Sequence, residues 1–142
     1  MSISKANAEW TGNLKTGRGM MRPENGGEVP FSLATRFEGA KGSNPEEMIG
    51  AALAGCFSMA LSLGLETAGV TPRSIRTDAR VHLEKEGSGF HIPRIELSTA
   101  IEATGGDDAK IRAVAEETKK QCPVSKALAG LKIDLTVSIV RG

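Results

Sequence analysis

The stretch that decides the fold is Met48–Leu65, which reads MIGAALAGCFSMALSLGL and contains no charged residue. This run is just long enough to reach the lower limit for a helix that crosses a membrane. Glu46 and Glu47 precede it and Glu66 follows it, at positions where a spanning helix carries cationic or aromatic anchors. Its many Ala, Gly and Ser residues also make it only modestly hydrophobic. The sequence therefore predicts a buried core helix and no membrane span.

Both ends of this helix are marked in the sequence. Asn44 is a favourable N-cap, Pro45 suits the first helical position, and Glu47 follows the cap by three residues. Gly69 predicts the end of the helix. A helix that is apolar around most of its circumference must be covered on most sides, and one small domain offers little cover. We therefore predict that a second copy of the chain covers it, in a homodimer.

Length and composition exclude several classes of protein. The chain has 142 residues, which predicts a single domain over residues 1–142. Its 18 Lys and Arg residues against 17 Asp and Glu residues leave a net charge of +1, which favours neither a nucleic-acid partner nor an anionic membrane. Met1–Trp10 has no apolar leader, and two cysteines are too few for a disulfide scaffold. We expect a cytoplasmic protein whose thiols are catalytic, redox-active or simply buried.

The rest of the chain reads as short strands and two further helices. Segments of alternating apolar and polar residues, separated by glycine-rich turns, indicate strands with one solvent-exposed face. Such strands favour an antiparallel sheet. The predicted strands cover residues 4–10, 14–20, 31–37, 75–83, 90–101 and 132–140, and the further helices cover residues 107–121 and 123–129. This order predicts an α+β fold in which an antiparallel sheet packs on a long buried central helix.

The two cysteines differ in their local surroundings. Cys56 lies near the middle of the long helix, away from the helix start that lowers a thiol pKa, and a small core residue is its simplest interpretation. Cys122 precedes Pro123 and is a candidate N-cap, where backbone N–H groups stabilise a thiolate. Local physics therefore makes Cys122 the more reactive thiol. No short metal-ligand spacing, P-loop, nucleophile elbow or dinucleotide fingerprint occurs, so no metal or cofactor is predicted.

Four motifs give the chain a family resemblance. They are TRFEG at 35–39, NPEE at 44–47, AGCFSMA at 54–60 and CPVS at 122–125. Together, and in this order, they resemble the OsmC branch (osmotically inducible protein C) of the OsmC/Ohr hydroperoxide reductases. The first two motifs are closer to the OsmC branch than to the organic hydroperoxide resistance (Ohr) branch. Gly55 stands where the family pattern has Ala, a departure that changes no reactive group.

The resemblance implies roles for four residues of an OsmC-like, intertwined dimer. Cys56 corresponds to a peroxidatic cysteine and Cys122 to a resolving one, which reverses the ranking from local physics. Arg36 and Glu46 correspond to an arginine that activates the thiol and a glutamate that holds the guanidinium bidentately. Arg18 is the alternative arginine, because the Ohr branch has its arginine in an early hairpin. Arg36 is preferred because its neighbours match the OsmC pattern.

The spacing of these residues bears on the dimer. Glu46 and Cys56 are ten residues apart on one predicted helix, which is about 15 Å along its axis. A glutamate in the first turn cannot orient an arginine onto a sulfur three turns later unless the helix breaks or the chain folds back. We therefore predict that Arg36 and Glu46 serve the Cys56 of the partner subunit, across two antiparallel copies of the helix.

The function that the resemblance implies is thiol-dependent hydroperoxide reduction. Cys56 attacks the peroxide and becomes a sulfenic acid, Cys122 condenses with it to a disulfide, and an external dithiol, of lipoyl type in this family, reduces the pair. Apolar residues around the thiol predict that organic hydroperoxides react better than hydrogen peroxide. These residues are Met48, Leu53, Phe57 and Met59.

Two alternatives from other classes remain at this stage. One is a peroxide-responsive redox sensor, in which the disulfide switches binding partners without steady-state turnover. The other is a non-catalytic dimer that binds a small apolar ligand and keeps both cysteines as structural residues.

Overall fold

The computed structural model describes residues 1–141, which form two compact units, residues 1–48 and residues 49–141. The strands are β1 (Ala6–Thr11), β2 (Arg18–Pro23), β3 (Val29–Phe31), β4 (Thr71–Val81), β5 (Glu84–Glu86), β6 (Gly89–His91), β7 (Arg94–Thr104) and β8 (Lys132–Arg141). The helices are α1 (Leu33–Phe37), α2 (Pro45–Thr67), α3 (Asp108–Gln121) and α4 (Pro123–Ala127). The α+β class is confirmed, and the single domain stays a prediction.

The first unit contains a three-stranded antiparallel sheet in the order β1-β2-β3. Trp10 of β1 and Phe31 of β3 pack across β2, with ring centroids 5.7 Å apart. Gly19 of β2 lies under these rings, since a Cβ at this position would be 2.4 Å from the Phe31 ring. Only glycine fits there, so this position fixes how the three strands pack.

The predicted strand at residues 31–37 is wrong over most of its length, because β3 ends at Phe31 and a short helix follows. Ser32 caps that helix: its Oγ accepts a hydrogen bond from the Thr35 N–H at 3.2 Å. Thr35 Oγ1 accepts in return from the Ser32 N–H at 2.9 Å. This reciprocal capping box satisfies two backbone donors and makes helix the favoured local structure.

The second unit contains the sheet β4-β7-β8, in which β7 is the central strand. β4 and β7 pair antiparallel along nearly their whole length, as predicted. β7 and β8 pair parallel, from Arg94 opposite Lys132 to Ala103 opposite Arg141, so the prediction of an entirely antiparallel sheet is wrong. The physical reason is the crossover: α3 and α4 carry the chain back to the end of the sheet where β7 began.

Helix α2 begins and ends as predicted. The Glu47 N–H donates to Asn44 Oδ1 at 2.9 Å, so Asn44 is the cap. At the other end Gly69 has a positive φ of 81°, and the Val70 N–H donates to the Leu65 carbonyl at 2.8 Å. This left-handed glycine closes the last turn and releases the chain into β4.

One face of α2 forms the core of the second unit. Four of its side chains are completely buried at helical spacing: Leu53, Phe57, Leu61 and Leu65. They belong to one apolar cluster with residues of β7 and with Ile111 of α3. Burying each of these side chains contributes about 2 kcal/mol, so this stripe is what docks the helix.

The opposite face of α2 is exposed in the single chain. Met59 is 75% exposed and Leu63 is 66% exposed, although both are large and apolar. By length and composition alone α2 is apolar enough to cross a membrane, and only 28% of its most hydrophobic window is buried. The predicted burial of this helix is therefore confirmed on one face only.

Candidate active site

The two cysteines, 66 residues apart in the sequence, meet in the second unit. Cys56 is half-buried on α2, and Cys122 is completely buried between α3 and α4. Their sulfur atoms lie 2.8 Å apart and share a hydrogen bond. Both thiols are free. Because a disulfide needs an S–S distance of about 2.05 Å, only a small displacement separates this pair from a covalent bond.

Cys122 is held in place by its backbone. Pro123 disfavours helical geometry for the residue before it, and Cys122 accordingly has a ψ of 127° that ends α3. Its N–H donates to the Thr118 carbonyl at 2.9 Å, and its own carbonyl accepts from the Lys126 N–H at 3.0 Å. Two helices thus fix the residue from both sides, and its sulfur reaches Cys56 of α2.

The two thiols have opposite pKa shifts. Burial raises the pKa of the Cys56 thiol, and the hydrogen bond to Cys122 raises it further. Burial also raises the pKa of Cys122, but the Cys56 thiol, the N–H groups of Ser125 and Val124, and the nearby Ser125 side chain outweigh it and leave that pKa below its ordinary value. Within the second unit Cys122 is the better thiolate, which agrees with the ranking from local physics.

In the first unit the structure pairs Arg36 of α1 with Glu46 in the first turn of α2. Arg36 Nε donates to Glu46 Oε1 at 2.9 Å, and Nη2 donates to the same oxygen. The two donors thus share one carboxylate oxygen instead of forming the predicted fork on two. Glu46 is only 7% exposed, and the Arg36 guanidinium also lies 5.2 Å from the centre of the Phe37 ring.

Arg18, the alternative arginine, lies elsewhere in the first unit. It lines an open cavity of about 450 Å³ together with Glu9, Arg22 and Lys41. Of the two arginines, Arg36 is the one that the structure joins to Glu46. The preference for Arg36 therefore gains a geometric reason, while its action on a thiol stays a prediction.

The four apolar residues predicted around the thiol differ in their exposure, and their effect on the choice of peroxide stays a prediction. Leu53 and Phe57 are completely buried in the core, because their four-residue spacing places them on the docked face of α2. Neither side chain can therefore contact a peroxide in this chain. Met48 is half-buried and Met59 is exposed in the single chain.

Ser125 is the residue near the thiols that sequence reasoning did not single out. It belongs to the CPVS motif, is 7% exposed and lowers the pKa of Cys122. Its position three residues after an N-cap is the capping-box spacing, which was the available signal. Among residues 1–141 the structure brings together no group of three His, Cys, Asp or Glu side chains that could hold a metal ion.

A half-buried thiol hydrogen-bonded to a second, completely buried thiol is the site of a thiol-dependent redox protein. Residues 38–138 match the model of the OsmC-like protein family, and the chain belongs to this family. It is 47% identical to the peroxiredoxin OsmC of Escherichia coli K12 over 126 residues, which are 87% of this chain and 88% of that protein. It is 29% identical to the organic hydroperoxide resistance protein of Xanthomonas axonopodis pv. citri over 102 residues, 71% of this chain and 69% of that one.

Solved structures agree with this assignment. An organic hydroperoxide resistance protein from Elizabethkingia anophelis is 26% identical, with a TM-score of 0.77 over 98% of this chain and 99% of its own. An OsmC-like protein from Mycoplasma pneumoniae has the same fold, with a TM-score of 0.77 at 17% identity over 98% of both chains. The OsmC-like fold is confirmed. The names of the two sequence relatives also confirm the prediction of a peroxidase with a peroxide-detoxifying redox function.

Proposed function

We propose that this chain is a cytoplasmic two-cysteine peroxidase that reduces organic hydroperoxides and, more weakly, hydrogen peroxide. The observation that carries the proposal is the 2.8 Å distance between the sulfur atoms of Cys56 and Cys122. Relatives named as a peroxiredoxin and as an organic hydroperoxide resistance protein support this substrate class.

The reaction follows from the two thiols. The Cys56 thiolate attacks the outer peroxide oxygen, the O–O bond breaks, and the alkoxide leaves and takes up a proton as the alcohol. The Cys122 thiolate then attacks the sulfur of the Cys56 sulfenic acid, and hydroxide leaves and becomes water. A dithiol of lipoyl type reduces the disulfide by two exchange steps and is itself oxidised to a cyclic disulfide.

Activation of Cys56 needs a positive charge, because burial and Cys122 together raise the pKa of this thiol within the second unit. Arg36 is the proposed source, and Glu46 orients it through two hydrogen bonds. Since α2 is helical throughout Pro45–Thr67, the ten-residue spacing from Glu46 to Cys56 remains an argument for sharing between subunits. We propose that each Arg36–Glu46 pair activates the partner's Cys56.

The exposed face of α2 is the proposed dimer interface. Met59 and Leu63 project from it, and an apolar cavity of about 480 Å³ lies beside it, lined by Leu63 and Gly64 of α2 and Val114 of α3. A second copy of the same helix would bury these side chains by close packing over Gly55 and its small neighbours. The same contact would bring one chain's Glu46 towards the other chain's Cys56.

The test is steady-state consumption of cumene hydroperoxide with excess dithiol, for the parent, Cys56→Ser and Cys122→Ser. The proposal predicts turnover by the parent, none by Cys56→Ser, and a single reduction event followed by a stall for Cys122→Ser. Normal cycling by Cys122→Ser would refute the resolving role. A redox sensor would be oxidised once without turnover, and an apolar-ligand dimer would not lose its two thiols as a pair.

Mixed dimers test the sharing of sites. A Cys56→Ser chain and an Arg36→Ala chain are each inactive alone, but their mixed dimer contains one complete site if Arg36 acts across the interface. We expect recovery of up to half the activity per mixed dimer. No recovery, with mixed dimers verified by two affinity tags, would place all four residues of a site in one chain.

A further inference from the structure

We propose that Ser125 is a thiolate-stabilising residue whose buried hydroxyl donates a hydrogen bond to the Cys122 sulfur whenever that sulfur carries negative charge. The inference deepens the proposed function, because it rests on Cys122 being the resolving thiol. Cys122 and Ser125 lie three residues apart, on either side of the first residues of α4.

The first observation is an unpartnered polar atom in a buried place. Ser125 is 7% exposed, and its Oγ is buried without a hydrogen-bond partner among the residues that the structure describes. Buried hydroxyls are nearly always hydrogen-bonded, so such an atom needs an explanation. The neighbouring Cys122 is completely buried and, as a neutral thiol, accepts hydrogen bonds only weakly. A thiolate at the same position is a strong acceptor and supplies the missing partner.

The second observation is why this hydroxyl is available. In α1 the equivalent side chain, Thr35 Oγ1, accepts a hydrogen bond from the N–H of the capping residue Ser32 at 2.9 Å. In α4 the N–H of the capping residue Cys122 is already bonded to the Thr118 carbonyl at 2.9 Å. The reciprocal half of the capping box is therefore unavailable to Ser125. Its hydroxyl is left as a donor beside the cap side chain, which here is the reactive sulfur.

The electrostatics of the site agree with this geometry. Burial raises the pKa of Cys122, whereas Cys56, the N–H groups of Ser125 and Val124, and the Ser125 side chain lower it. Three lysines line a cavity of about 390 Å³ together with Ser125. They are Lys119, Lys120 and Lys126. Added salt screens such charges but leaves a direct hydrogen bond unchanged, so salt separates the two contributions.

Two steps of the cycle use the Cys122 thiolate. In resolution it attacks the Cys56 sulfenic sulfur, the S–S bond forms, and hydroxide leaves and becomes water. In reduction the dithiol attacks the half-buried Cys56 sulfur, since Cys122 is completely buried. The S–S bond then breaks and its electron pair leaves on Cys122, beside the Ser125 hydroxyl. A second exchange closes the reductant's own disulfide and releases Cys56.

The test compares Ser125→Ala, Ser125→Gly and Ser125→Thr, with Ser58→Ala as a control in which a hydroxyl 2.7 Å from Thr77 is lost instead. In a Cys56→Ser background, the ultraviolet absorbance of the Cys122 thiolate is followed against pH at low and high salt. We expect the alanine and glycine variants to lose about three- to tenfold in thiolate fraction at neutral pH, equally at both salt concentrations. We expect Ser125→Thr and Ser58→Ala to titrate as the parent does.

The kinetic part uses chains with both cysteines, oxidised by one equivalent of hydroperoxide. Ser125→Ala should slow disulfide formation by the same three- to tenfold and leave sulfenic acid formation unchanged. Unaltered titration in Ser125→Ala would overturn the proposal, as would different effects of alanine and glycine, which indicate packing. A shifted titration with an unchanged rate of disulfide formation would overturn the catalytic part. Failure of the proposed function itself shows separately, as normal cycling by Cys122→Ser.

Discussion

Replacing Glu46 with Gln tests whether the Arg36–Glu46 pair contributes to catalysis or only to stability. The substitution keeps the shape of the side chain and one acceptor oxygen but removes the negative charge that receives two guanidinium N–H groups. If the pair only stabilises the fold, stability alone should change. If it aims the guanidinium at a reacting sulfur, the rate of peroxide reduction should fall as well.

The structure sets the size of both effects. A hydrogen bond to a charged group contributes about 1.5–3 kcal/mol, and two donors on one oxygen contribute less than twice that. The Arg36 side chain is 36% exposed, so water compensates part of the loss. We therefore expect Glu46→Gln to lower the free energy of unfolding by about 1–2 kcal/mol. Loss of about 1.4 kcal/mol at the transition state would lower kcat/KM about tenfold.

The assay is peroxide consumption under saturating dithiol, with stability measured separately by urea unfolding. Glu47→Gln is the matched control, because Glu47 lies in the same helical turn and bonds to Ser43 Oγ at 2.8 Å instead of to an arginine. Glu47, like Glu46, carries a negative charge at the start of the helix, which stabilises the helix by about 0.3–1 kcal/mol. The kcat/KM of Glu47→Gln should stay within about twofold of that of the parent. An unchanged kcat/KM for Glu46→Gln, or an equal fall for both variants, would refute the positioning role.

Three further predictions follow from the second unit. Met59→Glu should dissociate the dimer, as measured by light scattering, and abolish turnover while the chain stays folded. The control Val140→Glu, at an exposed apolar residue of β8, should leave the dimer intact. A Met59→Glu monomer with full activity would contradict the shared site. In the parent chain the hydrogen bond from Cys56 and the N–H groups of Ser125 and Val124 hold the pKa of Cys122 below its ordinary value. The serine hydroxyl of Cys56→Ser keeps a donor at this position, so we expect the folded-state pKa of Cys122 in this variant to stay below that of the unfolded chain. Urea unfolding should then show stability that rises with pH from the folded pKa to about 8.5 and falls on acidification through the folded pKa, and a flat profile would contradict this expectation. Gly50→Val should lower the free energy of unfolding by about 2 kcal/mol, because a Cβ there already lies 3.0 Å from Val81 and 3.4 Å from Ala79, and an unaffected variant would show that α2 does not pack closely on β4.

Some of the fold was readable from local chemistry. The Asn44 side chain caps a helix start and Gly69 readily adopts a positive φ at a helix end. Both effects act within a few residues, so both ends of α2 were predicted correctly. The parallel pairing of β8 was not, because alternation indicates which face of a strand is buried and says nothing of its direction or neighbour. The helix α1 was missed because Thr35, where Glu or Gln usually stands, completes the capping box at Ser32.

Some features of the candidate site could be predicted from the sequence and others could not. The contact of Cys56 with Cys122 joins residues 66 apart, and no local spacing encodes it; the motif resemblance supplied it. Local physics did identify the better thiolate within one chain, since Pro123 forces Cys122 into the capping position. The complete burial of Leu53 and Phe57 was not predicted, because composition alone does not tell which face of an apolar helix packs on the core.

The central claim is that peroxide oxidises Cys56 first and that Cys122 then closes the disulfide. One equivalent of cumene hydroperoxide, followed by mass spectrometry with thiol counting, tests it on the parent and the two Cys→Ser variants. We predict that the parent loses both thiols and gains a Cys56–Cys122 link, that Cys122→Ser stops at a Cys56 sulfenic acid, and that Cys56→Ser keeps its Cys122 thiol. Rapid oxidation of Cys122 in Cys56→Ser, or oxidised Cys56 beside a free Cys122 thiol in the parent, would contradict the account.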